Sequence, residues 1–350
     1  MRENPKQLAL ELGVHPSLAA YLEGDVQGIA AEGFSGKGDA VLVGSSRRVV
    51  IVTTVYNRKT ITLQALRSLS RIDRNDLDIH IVVVDDGSTD GTGEAIRRHF
   101  PEVEVITGDG NLWDTRGSNI GFRAALKRKP DYILWINDDS IFHEQFLVRM
   151  VYCAETYPKS VVGALLLRWD SPRQVYQCSP RWSTWYGGLW WPRYQTVDSI
   201  PQEPWEVYFI AGNCVLFPRQ VLEQVGVMNE RAFPYHNGDA EYLPRIRKAG
   251  WRLLIEPKAW VWIQPNEIAP SKTCPPRWRE VPKTRLLYEL FWDRRSARNL
   301  LHCFYMRWYS APYPWLGLIA FCVSTIRRGL RVLGLGGSWP DWPDPPFRLQ

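Results

Sequence analysis

Ile79-His-Ile-Val-Val-Val-Asp85-Asp86-Gly87-Ser88-Thr89-Asp90-Gly91 is the stretch that decides the fold. Its first half is an apolar, β-branched run of the kind found in a strand buried on both faces. Its second half is a turn, in which Gly87 permits a tight bend and Ser88 or Asp90 can cap a following helix. The segment therefore reads as strand, turn, helix, with carboxylates where the strand ends.

The same alternation repeats on both sides. Arg48-Val-Val-Ile-Val-Thr-Thr54 predicts a buried strand, and Thr60 to Ser70 a helix. Thr92 to His99 predicts a helix, Glu102 to Thr107 a strand, Asn119 to Arg128 a helix and Tyr132-Ile-Leu-Trp-Ile136 another strand. This alternation argues for a parallel α/β sheet. Farther on, Tyr208 to Phe217 is strand-like, and helices are expected at Arg219 to Val225 and Ala240 to Ala249.

The bulk composition is permissive. With 350 residues, 45% of them hydrophobic, the chain can bury a sizeable core. A net charge of +6 suits anionic partners such as nucleotides or lipid phosphates without choosing among them. The six cysteines form no Cys-x-x-Cys pair, which speaks against a zinc or redox motif. The N-terminus reads as having no secretory signal, so reduced thiols and a cytoplasmic location are expected.

Residues 1–46 read as an N-terminal helical extension and linker. Gln7 to Gly24 faintly resembles two helices of a helix-turn-helix, but no third helix or basic face accompanies it. Packing or docking is therefore the expectation there, and nucleic acid is not an expected partner. Residues 47–265 read as the main domain, divided into halves at 47–140 and 141–265. Residues 266–350 read as a helical C-terminal region. There Trp315 to Ile326 is apolar and is followed by Arg327 and Arg328. The run is too short to span a bilayer. Two readings stand side by side: a helix in the membrane interface, peripheral on the inner face of the cell membrane, or a helix packed on the main domain.

Three motifs carry chemistry. In open α/β sheets ligands bind beyond the carboxyl ends of the strands, and Asp85 and Asp86 stand at such an end, suited to accept hydrogen bonds from a base imide or ribose. Asn137-Asp138-Asp139 stands at another. Adjacent carboxylates repel unless a cation lies between them, and Mg²⁺ or Mn²⁺ suits oxygen ligands. Asn237-Gly238-Asp239-Ala240-Glu241-Tyr242 precedes a helix, where Asp239 is either an N-terminal cap or a general base aimed into the cleft.

In this order, the three motifs resemble the inverting glycosyltransferase family 2 and its GT-A fold over roughly residues 48 to 265. Thr53-Thr54-Val55-Tyr56-Asn57-Arg58 matches the family's opening strand end, and Val84 to Gly91 its Val-Asp-Asp-Gly-Ser motif. Gly110-Asn-Leu-Trp-Asp-Thr-Arg-Gly-Ser-Asn119-Ile-Gly121 looks like the rhamnosyltransferase-like branch acting in cell-surface polysaccharide synthesis. Arg294 to Asn299 looks like an Arg-Asn element that follows the catalytic domain there.

The resemblance implies a Rossmann-like, mostly parallel central sheet flanked by helices. It also implies transfer of a sugar, rhamnose among the candidates, from a UDP- or dTDP-sugar to a hydroxyl of a glycan or lipid-linked acceptor. The implied donor contacts are Thr53, Thr54, Tyr56, Asn57, Arg58, Asp85, Asp86, Trp113, Arg116, Asn119, Asn137 and Asp138. The implied metal ligands are Asp139 and Asn137, with Mg²⁺ or Mn²⁺ bound. Asp239 is the implied base. Trp182, Trp185, Gly212, Asn213 and Glu241 are the expected acceptor contacts, since aromatic faces stack on sugar rings and polar groups orient them. Asn137, Gly238 and Gln264 depart from the family pattern. Gln264 stands where many relatives carry a metal-binding histidine, for which His236 is a possible substitute. These departures also motivate the rival reading, a catalytically degenerate protein that binds sugar nucleotides or glycans.

Overall fold

β1 (Arg48–Val55), β2 (Asp78–Asp85), β3 (Glu104–Thr107) and β4 (Tyr132–Ile136) pair in parallel in the order β3-β2-β1-β4. In the computed structural model the described residues are 17–19, 21, 46–178, 180–185, 187–190, 196–264, 282–296 and 298–332. The crossovers are α1 (Lys59–Leu69), α2 (Thr92–His99) and α3 (Trp113–Lys127). Side chains alternate across β1. Val49 and Ile51 pack with Leu63, Leu66 and Ile96 on one face, whereas Val50 and Val52 pack with Phe122 and Ala125 on the other. Burial on both faces is why these strands read as continuous apolar runs. Strand order reverses beside β1, so the ends of β1, β2 and β4 open on one crevice.

The second half of the sheet adds antiparallel pairs, so the sheet as a whole is mixed. After β5 (Ser140–Phe142) and α4 (Phe146–Thr156), β6 (Ser160–Arg168) and β7 (Val175–Gln177) pair antiparallel. β8 (Arg181–Ser183) and β9 (Gly188–Trp190) form a separate hairpin, and β10 (Trp205–Glu206) lies at the far edge of the main sheet. β11 (Cys214–Pro218) inserts antiparallel between β4 and β6. α5 (Arg219–Val225) and α6 (Asp239–Lys248) follow, and β12 (Arg252–Ile263) runs parallel to β6 and antiparallel to β5.

Two boundaries differ from expectation for tertiary reasons. The strand expected from Tyr208 begins only at Cys214, because residues 211–213 form a turn whose amide serves the site. α3 begins at Trp113, not Asn119. Its first amides find partners in distant residues: Leu112 and Trp113 N–H donate to the Asp86 carboxylate, and Asp114 and Thr115 N–H donate to the Tyr235 carbonyl. A carboxylate at a helix N-terminus is favourable, and this one lies far away in sequence.

The C-terminal region contributes α7 (Lys283–Phe291), α8 (Leu300–Ser310) and α9 (Pro314–Val332). Asn299 caps α8 by accepting from His302 N–H at 3.1 Å. Arg298 and Glu289 form a buried ion pair at 2.5 Å that ties α7 to this cap. α8 packs against α6 and α9, so the region is joined to the main domain. Among the described residues no helix is long and apolar enough to cross a membrane.

Of the N-terminal extension, Leu18 is fully buried and the Tyr21 ring meets Trp262 edge-on at 6.2 Å. That contact is of the packing kind. The remainder of the extension, including most of the expected helix and the linker, lies outside the described residues.

Candidate active site

The crevice at the strand ends is lined by carboxylates in very different settings. Gly87 adopts φ +69°, as the tight turn requires. Behind it, Asp86 accepts from Gly110 N–H and Leu112 N–H through Oδ1 and from Trp113 N–H through Oδ2, each at 3.0 Å. Asp85 accepts from Ser88 N–H at 3.0 Å. Both carboxylates are buried. The pair expected at the nucleoside is therefore turned inward, where it anchors the 86–91 turn and the start of α3. Asn57 has a similar part: its Oδ1 accepts from Thr89 N–H at 2.7 Å, and its own N–H donates to Ser88 Oγ at 2.9 Å. Tyr56, next to it, is exposed at the mouth of the crevice. Thr53 and Thr54 each hold a buried hydroxyl without a hydrogen-bond partner.

The step after β4 concentrates negative charge. Asp138 accepts from Arg58 Nη1 at 2.7 Å and from Thr62 Oγ1 at 3.0 Å. Asp139 accepts from Arg58 Nη2 at 3.1 Å through Oδ2, whereas its Oδ1 is buried and unpartnered. Burial is the main cause that pushes Asp138 up to about 6, Arg58 pulls it back, and the Asp139 charge adds to the rise.

Gln264 completes this corner. Its N–H donates to the Asp139 carbonyl at 3.1 Å, one residue beyond the paired Ser140 and Ile263. Directly opposed residues in an antiparallel pair present their side chains on one face. The side-chain Oε1 of Gln264 is also buried and unpartnered. A Mg²⁺ or Mn²⁺ ion suits carboxylate and amide oxygens, so Asp139 Oδ1 and Gln264 Oε1 fit such an ion. Among the described residues no three His, Cys, Asp or Glu side chains gather as a ligand set. An ion here would therefore rely on amide oxygens and on the diphosphate of the donor. Asn137 Nδ2 donates to Asn213 Oδ1 at 2.9 Å, a bond that does not engage its own Oδ1. His236 packs its ring on His302 with centroids 4.7 Å apart, and burial pushes it down to about 4.

Asp239 opens α6 and is linked to this corner by a short chain of bonds. Asn137 N–H donates to the Asn213 carbonyl at 3.0 Å, and the preceding residue, Gly212, donates its N–H to Asp239 Oδ2 at 3.2 Å. A side chain at 212 would place Cβ 2.7 Å from the Trp135 ring and 3.1 Å from Asp239 Cβ, so only glycine permits the approach. Burial pushes Asp239 up to about 6, against the pull of Gly212 and Ala240 N–H.

Asp114 is a candidate site residue that the sequence reading missed. Burial raises it to about 7, and the charges of Asp239 and Asp138 push the same way, so it stands within the field of both. Ser118 Oγ lies 3.5 Å from Asp114 Oδ1 and itself accepts from Trp135 Nε1 at 2.9 Å. The i, i+4 spacing of Asp114 and Ser118 was the only available signal. It was hidden because the residues before Asn119 read as a loop.

Other expected contacts have structural roles. Asn119 is fully buried; its Nδ2 donates to the Met228 carbonyl at 2.9 Å and to Glu230 at 2.7 Å, and its Oδ1 accepts from Met228 N–H. Both ends of its amide are thus engaged by protein partners. Glu241, expected at the acceptor, is buried in a two-point ion pair with Arg245, at 2.5 and 3.0 Å. Trp113 meets Tyr235 edge-on at 5.3 Å, and the Arg295 guanidinium lies 5.5 Å from the Trp113 ring, which brings the C-terminal region to the crevice. Arg116 is exposed on the same helix. Trp185 is 76% exposed, whereas Trp182 lines a cleft of about 450 Å³ with Trp205, Tyr208 and Pro312.

Comparison with known proteins agrees with this layout. Residues 50–226 match the model of glycosyl transferase family 2. Two Mycobacterium tuberculosis proteins, from strains CDC 1551 / Oshkosh and H37Rv, are 25% identical over 265 residues, covering 68% of this chain and 79% of theirs. Each is named N-acetylglucosaminyl-diphospho-decaprenol L-rhamnosyltransferase. The crystal structure of GalNAc-T7 with UDP, GalNAc and Mn²⁺ superposes with a TM-score of 0.53 at 14% identity, over 80% of this chain and 55% of that one. The fold is thus GT-A. With half of its length matched and its strand-end carboxylates in place, the chain belongs to glycosyl transferase family 2 and is a glycosyltransferase.

Proposed function

We propose that the protein transfers a sugar, with inversion, from a nucleoside-diphosphate sugar to a hydroxyl of a lipid-linked glycan acceptor. The observation that carries this reading is the bond chain from Asn137 through Asn213 and Gly212 to Asp239, which ties a base candidate to the acidic corner. The name of the Mycobacterium tuberculosis relatives favours L-rhamnose as the sugar and a diphospholipid-linked N-acetylglucosamine as the acceptor; the donor would be a UDP- or dTDP-sugar. Such an acceptor lies in a membrane, so a cytoplasmic enzyme peripheral to the inner face fits it.

The donor diphosphate would lie over Asp139, and the nucleoside would lie between Tyr56 and Trp113. A divalent ion held by Asp139 and Gln264 would offset the charge of the leaving diphosphate. Arg58, now on Asp138 and Asp139, would exchange part of that contact for phosphate oxygens. Asp239 takes the proton of the attacking hydroxyl as the sugar–phosphate bond breaks, a role worth about 10²- to 10⁴-fold. A carboxylate with its pKa near 6 binds that proton better than an ordinary one. Asp114 would hold an acceptor hydroxyl beside it. The aromatic cleft at Trp182, Trp205 and Tyr208 would stack on acceptor rings.

The experiment is release of nucleoside diphosphate from dTDP-, UDP- and GDP-sugars, with and without Mn²⁺ and an acceptor. Acceptor-dependent release supports the reading. Binding without release in every combination would favour the degenerate binder.

A further inference from the structure

Among the described residues, the exposed large apolar side chains gather in the C-terminal helices. Of the fourteen large ones among the described residues, three lie elsewhere (Tyr56, Tyr152, Trp185) and eleven lie between Leu287 and Leu330. Within α9, the exposed positions Trp315, Leu318, Ile319, Cys322, Ile326 and Leu330 follow the i, i+3, i+4, i+7 spacing of a single helix face. Trp315 is 59% exposed and Ile326 62%. At 1.5 Å per residue this stripe is about 22 Å long.

The packing of the opposite face fixes its outward direction. A Cβ at Gly317 would lie 2.4 Å from the Arg307 carbonyl of α8, so the two helices touch at backbone distance. Ala320 and Ser324 are buried on the same side, and Gly187 of the β8–β9 turn would place a Cβ 3.0 Å from Ser324 Cβ. Turning the stripe inward would drive Trp315 or Ile326 into these contacts.

The charge pattern says what the stripe meets. α9 contains three arginines, Arg327, Arg328 and Arg331, and no acidic residue. At its other end Tyr313 and Trp315 stack with centroids 6.4 Å apart, and tyrosine and tryptophan favour the level of lipid headgroups. A symmetric pairing with a second copy would bring one helix of a single charge sign against another.

We propose that the outer face of α9 is a membrane-docking surface that lies flat on an anionic lipid bilayer. Trp315, Leu318, Ile319 and Ile326 enter the headgroup boundary, and the basic, acid-free sequence of α9 matches an anionic surface. Pro312, between α8 and α9, also lines the aromatic cleft with Trp182, Trp205 and Tyr208. The bilayer would therefore lie beside the cleft assigned above to the acceptor. The docking surface specifies the membrane contact of the function proposed above, but it does not depend on which sugar is transferred.

The test is flotation of the full chain with phosphatidylcholine vesicles, with and without phosphatidylglycerol, alongside turnover of donor on a soluble acceptor. The expected result is binding to the anionic vesicles that is at least about tenfold weaker to neutral ones and weakens with salt. Trp315→Glu and Ile326→Glu should each lower vesicle binding by about tenfold or more. Both should leave soluble turnover and the thermal melting curve unchanged, since both side chains are exposed. Tyr152→Glu, on α4, should change nothing. Failure of the wild-type chain to bind anionic vesicles, or wild-type binding by both variants, overturns the proposal. So does a dimer that Trp315→Glu dissociates in the absence of vesicle binding, or flotation that appears only once residues 333–350 are removed. Loss of turnover with vesicle binding intact would instead count against the proposed reaction.

Discussion

Gln264 and Asp139 oppose one another across an antiparallel pair of segments, joined by a backbone hydrogen bond of 3.1 Å, and each holds a buried side-chain oxygen without a partner. Unpaired buried oxygens cost stability, so two of them on residues joined by one backbone bond are candidates to share a cation. Gln264→Leu should weaken Mn²⁺-dependent donor binding by about tenfold or more, the scale of losing one ligand or its support. Gln264→His should retain it. Calorimetric titration of donor with and without Mn²⁺ checks this, and equal affinities for wild type and Gln264→Leu would remove Gln264 from the metal account.

The rate should depend on pH through Asp239. Its pKa of about 6 means the base is protonated, and idle, below that pH. Transfer should therefore rise with pH and level off above about 7. Asp114, pushed up to about 7 by burial, still holds its proton while Asp239 titrates, so Asp114→Asn should leave the acid limb in place. A pH profile of kcat for both proteins checks this, and a limb moved by Asp114→Asn would mean that Asp114 is charged when the base titrates.

The same group sets a stability trend of definite sign. Burial raises the Asp239 pKa from 3.8 in the unfolded chain to about 6 in the folded one. Its contribution to stability is complete below 3.8 and is lost as pH rises through about 6. Asp239→Asn should accordingly be more stable than wild type at pH 8, by at most about 3 kcal/mol, and no more stable at pH 3. Urea unfolding at the two pH values measures the difference; a destabilised variant at pH 8 would contradict the burial argument.

Asn119→Ala should destabilise the fold by about 1–3 kcal/mol, because it leaves Met228 N–H and its carbonyl without their partners. Donor affinity of the folded variant should stay within about twofold. Thermal melting and donor titration together test the scaffold role, and a large loss of affinity in a stably folded variant would return Asn119 to the donor site.

Much of the fold was legible because β1, β2 and β4 are buried on both faces, and their composition shows it. The insertion of β11 between β4 and β6 was not legible, since antiparallel pairing across such separations leaves no local pattern. Asp139 and Asp239 were legible as carboxylates at strand and helix ends. The bonds from Asp86 to the amides of Gly110, Leu112 and Trp113 were not legible, because a buried strand-end carboxylate reads the same whether it faces a ligand or distant backbone. Asp114 was hidden by the late start assigned to α3, whose first turn is held by the distant Asp86 and Tyr235. Gln264 read as a missing histidine, and only the strand register places it opposite Asp139.

The most direct test of the account compares Asp239→Asn with wild type in two assays at pH 7.5: donor binding by calorimetry, and sugar transfer to a lipid-linked acceptor. The account predicts donor affinity within about twofold and transfer lowered by about 10²-fold or more. Transfer at the wild-type rate would contradict it, since the hydroxyl proton would then need no carboxylate at the start of α6.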